Sequence, residues 1–387
     1  MHAQKRLALL LGVFLSCVAS QASAKIEYVI EISVDGLGGP YLNTLFTQSS
    51  PPTYSIPNFW RLRNEGAGTL TAHIDNKTYE TLPNHTSLIT ARPMDNVTGL
   101  ISGHNWSGNV APTTTIHANK SSWLLDEPHY VASVFDVAHD NGYRTGMYAN
   151  KTKFSLFDNT GYTPNLGGGS YNAANGALDK TGPDNGRRKL DNTYINATVD
   201  SGTIVDAYIA QQKDNPMQFA FLHFNNPDSA GHAGGGGWGS ALYYNSVVAV
   251  DGMLGKIFKL IEQDVPAMTG KTAIILTADH GYQGAPGPNT YSVPFYVWGP
   301  GVIAGADLYA LNPLNRKVAS SYPMTTYLGI QPIRNAEASN LALDLLGLGP
   351  IPFSTFNYAQ DLYVPEPASM GLLALGGLAL LRRRRKS

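Results

Sequence analysis

Four groups of residues in this 387-residue chain have types and spacings suited to chemistry. Thr81 stands two residues before Pro83, at the head of an apolar run that reads as a helix; proline is tolerated in a first turn, where its missing N–H would be unpaired anyway. A hydroxyl at a helix mouth faces backbone N–H groups and the positive end of the dipole, which favour an anion. It becomes a nucleophile when a base or a metal lowers its pKa. Asn84, at the head of the same run, could donate to charge developing on an oxyanion. The other three groups are Asp35, Asp228 with His232, and Asp279 with His280. Asp228 and His232 are four apart, so a single helical turn puts both on one face. Aspartate and histidine without cysteine suit zinc or a similar divalent ion, and two such clusters could hold two ions about 4 Å apart. One ion would then ionise the Thr81 hydroxyl while the other polarises phosphoryl oxygens. Each residue also has a plainer reading. Asp35 before glycine forms turns, an Asp–His pair makes loop hydrogen bonds, and Thr81 or Asn84 can cap a helix. His85 reads as a helix-surface or core histidine rather than a ligand. What outweighs these readings is that the groups fall at successive strand ends.

The elements that must position them alternate. Residues 27–34, 68–74, 144–149, 217–224, 271–277 and 292–298 read as strands from their β-branched and aromatic content and flanking turns. Helical spacing marks 131–139, 202–212 and 336–346, and most clearly 242–262, where Val247, Val250, Leu254, Ile257 and Ile261 share a stripe. Strands alternating with helices predict an α/β fold, a mostly parallel sheet with helices on both faces, whose ligands bind beyond the carboxyl ends of the strands. Residues 151–198, rich in Gly, Asn and Asp and without steady periodicity, read as an irregular cap insertion over the site. Its basic cluster Arg187-Arg188-Lys189 reads as a solvated face.

Composition narrows the class. Charged residues make up only 14%, while Gly (40) and Tyr (21) are plentiful, as in an exported, loop-rich enzyme. The single cysteine, Cys17, lies in residues 1–24, which read as a secretory signal: Lys5 and Arg6, then an apolar core, then Ala22-Ser23-Ala24. With that segment removed no thiol is left for disulfides or cysteine-bound zinc. Residues 349–363 read as a Pro-rich linker. Val364-Pro365-Glu366-Pro367 then precedes a short apolar run and Arg382 to Lys386. Residues 364–387 thus resemble the PEP-CTERM sorting signal of Gram-negative bacteria. The resemblance implies an exosortase as partner, transient membrane anchoring, and a destination in the periplasm, at the cell surface or in the extracellular matrix. Without leader and tail the chain keeps 20 basic against 27 acidic residues, net −7, which excludes non-specific binding of nucleic acid.

Residues 25–348 as a unit resemble the alkaline phosphatase superfamily, nearest to its nucleotide pyrophosphatase/phosphodiesterase branch. The resemblance rests on Ser33-Val34-Asp35-Gly36, Thr81-Leu82-Pro83-Asn84-His85 followed by Ile89-Thr90, Pro227-Asp228 through Gly231-His232, and Thr277-Ala278-Asp279-His280-Gly281. Asp251 in the helix from Tyr243, and Pro294-Phe295 through Gly299-Pro300-Gly301, add to it. It implies an alkaline-phosphatase-like catalytic domain hydrolysing phosphate esters, diesters or nucleotide pyrophosphates, with two divalent ions, zinc by the family's habit. Asp35, Thr81, Asp279 and His280 match the ligands of one ion, with Thr81 as nucleophile; Asp228 and His232 match two ligands of the second, and Asn84 the phosphoryl contact. The family's third ligand to the second ion, a histidine after Asp-His-Gly, has no counterpart, since His280 is the last histidine. His104 and His223 are the nearest substitutes by motif proximity. A phosphomonoesterase or phosphonate hydrolase of the same superfamily stays open, as does a metal-poor, surface-associated pseudoenzyme.

Overall fold

The strand Tyr28–Val34 (β1) is buried along all seven residues, with apolar and polar side chains alike inside, as a strand covered on both faces must be. Two observations fix one of its faces: Glu31 meets Ser339 and Ser33 meets His85, two residues apart on the strand. The computed structural model describes residues 25–48, 55–97, 103–112, 116, 131–157, 189–282 and 286–364. Among these, Ala67–His73 (β2), Thr145–Ala149 (β3), Asn192–Ile195 (β4), Phe219–Phe224 (β5), Thr272–Thr277 (β6), Ser292–Trp298 (β7) and Ala306–Asp307 (β8) join β1 in one sheet, ordered β4-β3-β5-β1-β6-β7-β2-β8. β1 runs parallel to both β5 and β6, with Ser33 level with His223 on one side and Thr277 on the other. β3 is parallel to β5 and β4. Only β7, between β6 and β2, runs against its neighbours. The sheet is thus mixed but mostly parallel, as the alternation of elements predicts.

Among the described residues the α-helices of seven residues or more are Gly39–Gln48 (α1), Pro57–Glu65 (α2), Thr81–Thr90 (α3), Val134–Asp140 (α4), Ser201–Asp214 (α5), Asn226–His232 (α6), Ala241–Lys259 (α7) and Ala338–Leu345 (α8). α8 packs on β1, β6, α3 and α4, on the face that carries Glu31 and Ser33. α7 packs with α2, α5 and α6. Its Asp251 reaches across to α2. The carboxylate accepts from the backbone N–H groups of Asn58 (2.9 Å) and Phe59 (2.8 Å), capping α2, whose own N-cap position holds Ile56 and supplies no side-chain bond. Ile32 is wholly buried mid-sheet; its truncation to alanine would cost about 2–5 kcal/mol.

Two stretches depart from expectation. Within 151–198, residues Thr152–Leu156 form a 3-10 helix directly after β3, and Asn192–Ile195 become the sheet's edge strand; 158–188 lie outside the described residues. Lys189, expected on a solvated face, is buried and paired with Asp140 at 2.7 Å, because it lies just before that edge strand; Arg187 and Arg188 lie outside the described residues. Residues 349–363, expected as a linker, are packed onto the domain. Ile351 is buried, and Asn340 of α8 binds the Ile351 N–H, the Ser354 hydroxyl and the Phe356 carbonyl. A polar side chain that satisfies three groups of a Pro-rich stretch holds it against the core. Residues 1–24, expected as a leader, and 365–387, most of the sorting tail, lie outside the described residues.

Candidate active site

Four parallel strands, β3, β5, β1 and β6, end at one edge, and each delivers polar residues within a few steps of its end. β1 delivers Asp35, β6 delivers Asp279 and His280, β5 leads into α6 with Asp228 and His232, and β3 leads to Asn150 and Lys151. The turn after β1 needs glycine twice over: Gly36 has φ +75°, and a Cβ there would lie 2.9 Å from the Asp228 backbone.

Asp35, Asp279 and His280 converge. Their potential ligand atoms lie within 4.8 Å of one another, and all three side chains are buried. Asp279 Oδ1 accepts from the Gly36 and His280 N–H groups (3.2 and 2.9 Å), which turns Oδ2 inward. His280 Nδ1 lies 2.8 Å from the Gly281 carbonyl; a proton donated there puts the lone pair on Nε2, 3.3 Å from Asp279 Oδ2 and 3.4 Å from Asp35 Oδ1. Asp35 Oδ1 and Asp279 Oδ2 are themselves buried without a hydrogen-bond partner. Two unpaired carboxylate oxygens facing a histidine lone pair are costly as they stand and fit a divalent cation. The two carboxyls are driven in opposite directions. Burial raises the Asp35 carboxyl, but the Lys151 ammonium and the His223 contact outweigh it and hold Asp35 well below the usual carboxylate range. Burial and the neighbouring Asp35 charge push Asp279 well above it.

Thr81 opens α3 as the first helical residue and is buried. All ten residues of this helix are buried, and its hydroxyls bond inward: Thr86 to the Leu82 carbonyl, Thr90 to that of Thr86, Ser87 to His104. His85 is a core histidine, as expected, yet it joins the helix to the cluster. Nδ1 lies 2.7 Å from the Thr81 carbonyl and 3.4 Å from Asp279 Oδ2, while Nε2 meets the Ser33 hydroxyl at 2.8 Å. Burial holds its ring neutral, well below the ordinary histidine pKa.

Asn84 needs correction. Its amide hydrogens go to the Thr78 and Glu80 carbonyls (3.1 and 3.2 Å) and its oxygen accepts from the Asp75 N–H (3.1 Å), so the group expected on the phosphoryl oxygen instead folds the loop before α3. At the helix mouth the described structure has Asn109, whose Oδ1 accepts from the Leu82 N–H (3.0 Å) and from Lys153 Nζ (2.8 Å).

Asp228 and His232 do meet, Oδ1 to Nε2 at 3.2 Å, beside a cleft of about 90 Å³ that also reaches Gly36, Tyr243 and Tyr282. The His232 ring is 65% exposed. The other Asp228 oxygen is taken by Lys151 Nζ at 2.6 Å, and the same ammonium meets Asp35 Oδ2 at 2.5 Å. Neither substitute histidine completes this set. His104 is spent on Ser87 and the Trp106 N–H. His223 sits behind Asp35, with Nε2 3.0 Å from Oδ2 and Nδ1 3.1 Å from Asn150 Oδ1. Among the described residues, neither of these two histidines therefore gives the pair a third protein donor. Lys151 and Lys153 escape a reading of the sequence that looks for metal ligands; the one signal is a lysine close after a strand.

A mostly parallel α/β sheet with an acidic and histidine cluster beyond its strand ends is the architecture of the alkaline-phosphatase-like hydrolases. Residues 29–319 match the type I phosphodiesterase/nucleotide pyrophosphatase family, and the chain belongs to that family of hydrolases, which typically uses divalent metal. Residues 364–386 match the PEP-CTERM protein-sorting motif, which implies export in a Gram-negative bacterium and exosortase-dependent sorting to the cell surface. No helix among the described residues is long and apolar enough to cross a membrane. No curated protein matches the chain. Among solved structures it is similar to murine ectonucleotide pyrophosphatase/phosphodiesterase 5 (14% identity, 88% of this chain and 100% of that one, TM-score 0.52) and to its human counterpart (15%, 87% and 99%, 0.51). A 2-O GAG sulfatase is similar at the level of fold (14%, 87% and 74%, 0.52).

Proposed function

We propose that this chain is an exported phosphodiesterase or nucleotide pyrophosphatase in which Thr81 is the nucleophile and Asp35, Asp279 and His280 hold a divalent ion, with Thr81 as the fourth ligand. The observation that carries the reading is the pair of unpartnered buried oxygens, Asp35 Oδ1 and Asp279 Oδ2, converging with His280 beside the helix that Thr81 opens. A histidine with oxygen donors and no thiolate suits zinc, which when bound would supply Lewis acidity and a lowered hydroxyl pKa.

The chain's own groups supply the rest. Thr81 Oγ1 gives its proton up to solvent and bonds to phosphorus as the ester oxygen departs with its electron pair and takes a proton from solvent; a water oxygen then bonds to phosphorus, the bond to Thr81 Oγ1 breaks, and the water's proton restores the Thr81 hydroxyl. The start of α3 offers positive dipole to the anionic group, and the Lys153 ammonium, held at the helix mouth by Asn109, adds charge of the same sign. His85 fixes the Thr81 backbone against Asp279. We place the chain in the membrane only transiently, through 368–381, after a leader at 1–24 has directed export.

The test is a zinc-reconstituted assay on a diester, a monoester, a phosphonate and a sulfate ester. Diester or pyrophosphate turnover is expected to lead. Thr81→Ala should lower it by at least about a thousandfold with an unchanged circular dichroism spectrum, while Thr81→Ser keeps a measurable rate. Nearly full activity in Thr81→Ala would remove Thr81 from the mechanism.

A further inference from the structure

We propose that the Lys151 ammonium stands permanently in the place of a second divalent cation between Asp35 and Asp228, so that the protein works with one metal ion and one fixed lysine. The inference rests on the reading above for the identity of the first ion's site.

The geometry is specific. Nζ lies 2.5 Å from Asp35 Oδ2 and 2.6 Å from Asp228 Oδ2, bridging the carboxylate of the complete ligand set to that of the incomplete one. An ion at ordinary zinc–oxygen distances of about 2.0–2.2 Å from those same two oxygens would share their coordination space with the ammonium, like charge against like. The lysine is also anchored. The preceding residue, Asn150, is buried; its amide donates to Ser201 Oγ (2.9 Å) and Asn225 Oδ1 (2.8 Å), and its oxygen meets His223. The Lys151 side chain is 17% exposed, so it is built into the site and does not sweep solvent.

Charge agrees with the count. With all three ionised, Asp35, Asp228 and Asp279 bring three negative charges, which one divalent ion and one ammonium would balance. Lys151 leaves Asp35 Oδ1 and Asp279 Oδ2 unpartnered, so the first ion's place is untouched by this substitution. An ammonium carries three hydrogens. Two serve the carboxylates, and the third is available to an anionic oxygen of the substrate, the task that a second ion would otherwise perform.

The experiment counts metal directly. Full chain is dialysed against excess zinc, and bound ions are read by native mass spectrometry and elemental analysis, beside turnover and thermal melts. Wild type is expected to hold one ion per chain, and His280→Ala none. Lys151→Met should keep the first ion or admit a second, yet lose at least tenfold in turnover; Lys151→Arg, which keeps the charge, should recover part of that loss. Two ions per wild-type chain would overturn the proposal. So would Lys151→Met at wild-type turnover, or a Lys151→Met variant that melts normally but loses its only ion, since the lysine would then support the first site. A chain with one ion that hydrolyses no phosphate ester would instead refute the function proposed above and leave the metal count standing.

Discussion

Glu31 lies in the middle of β1, wholly buried, with both carboxyl oxygens turned to the Ser339 hydroxyl at 3.3 and 3.2 Å. Burial pushes its pKa up from 4.5 to about 8, and the Ser339 bond only partly offsets that. The native state therefore holds a proton that the unfolded chain has released between those two values. Stability on this account is fully present below about 4.5 and is lost as pH climbs to about 8. A tenfold change in proton affinity corresponds to about 1.4 kcal/mol, so the loss is on the order of a few kcal/mol. Glu31→Gln keeps the shape without the charge and should flatten the denaturation midpoint between pH 5 and pH 8, gaining most at pH 8. Parallel pH profiles for the two proteins would show that Glu31 is not the group responsible.

At the scale of elements, the turn after β6 sets the site. The Gly281 N–H donates to the Thr290 carbonyl (2.8 Å) and its own carbonyl orients the His280 ring, while a Cβ on Gly281 would fall 2.0 Å from the Asn289 carbonyl oxygen. Glycine follows Asp-His because two backbone segments touch there. Gly281→Ala should move the turn and, through the His280 ring, weaken zinc binding by at least about tenfold while the sheet still melts cooperatively. A zinc titration giving wild-type affinity would mean that the ring is oriented by something else. The start of α3 follows similar logic: Pro83 has no N–H, the Leu82 N–H is capped by Asn109 from a distant loop, and hydroxyls serve the carbonyls one turn back. That is how a helix with so many polar residues can lie wholly inside.

For the whole molecule, the sorting motif at 364–386 follows directly on a stretch that Asn312 and Asn340 hold against the domain. Tyr363, the last residue before the motif, has its N–H and carbonyl both bonded to Asn312. Removal of the tail should therefore leave the catalytic domain intact. In a host with an exosortase, intact-mass measurement is expected to find mature protein without its C-terminal segment; in a host lacking one, the segment should stay. An unprocessed tail in the first host would reduce it to an ordinary anchor. Turnover should be equal for the processed and unprocessed forms.

The sequence by itself determined the family, the alternation that makes the sheet mostly parallel, and the strand-end positions of Asp35, Asp228, Asp279 and His280, with Thr81 at a helix start. Each has a local cause: a hydrophobic run that must end, a glycine that must turn, a proline that must open a helix. The role of Asn84 was not legible there, because the three groups its amide satisfies lie on a loop whose path no spacing reveals. Only the tertiary structure decided what stands next to what. Lys151 reaches Asp35 because the order β3-β5-β1 brings the ends of these three strands to one edge, and nothing local across a separation of 116 residues records that order. His223 backs Asp35 for the same reason, through the register of β5 on β1. Strand order is settled by the burial of whole faces, a sum over many side chains, whereas a charge pair depends on the few atoms in contact. A chain can therefore spell out its ligands in motifs while the partner that balances their charge is chosen by the fold.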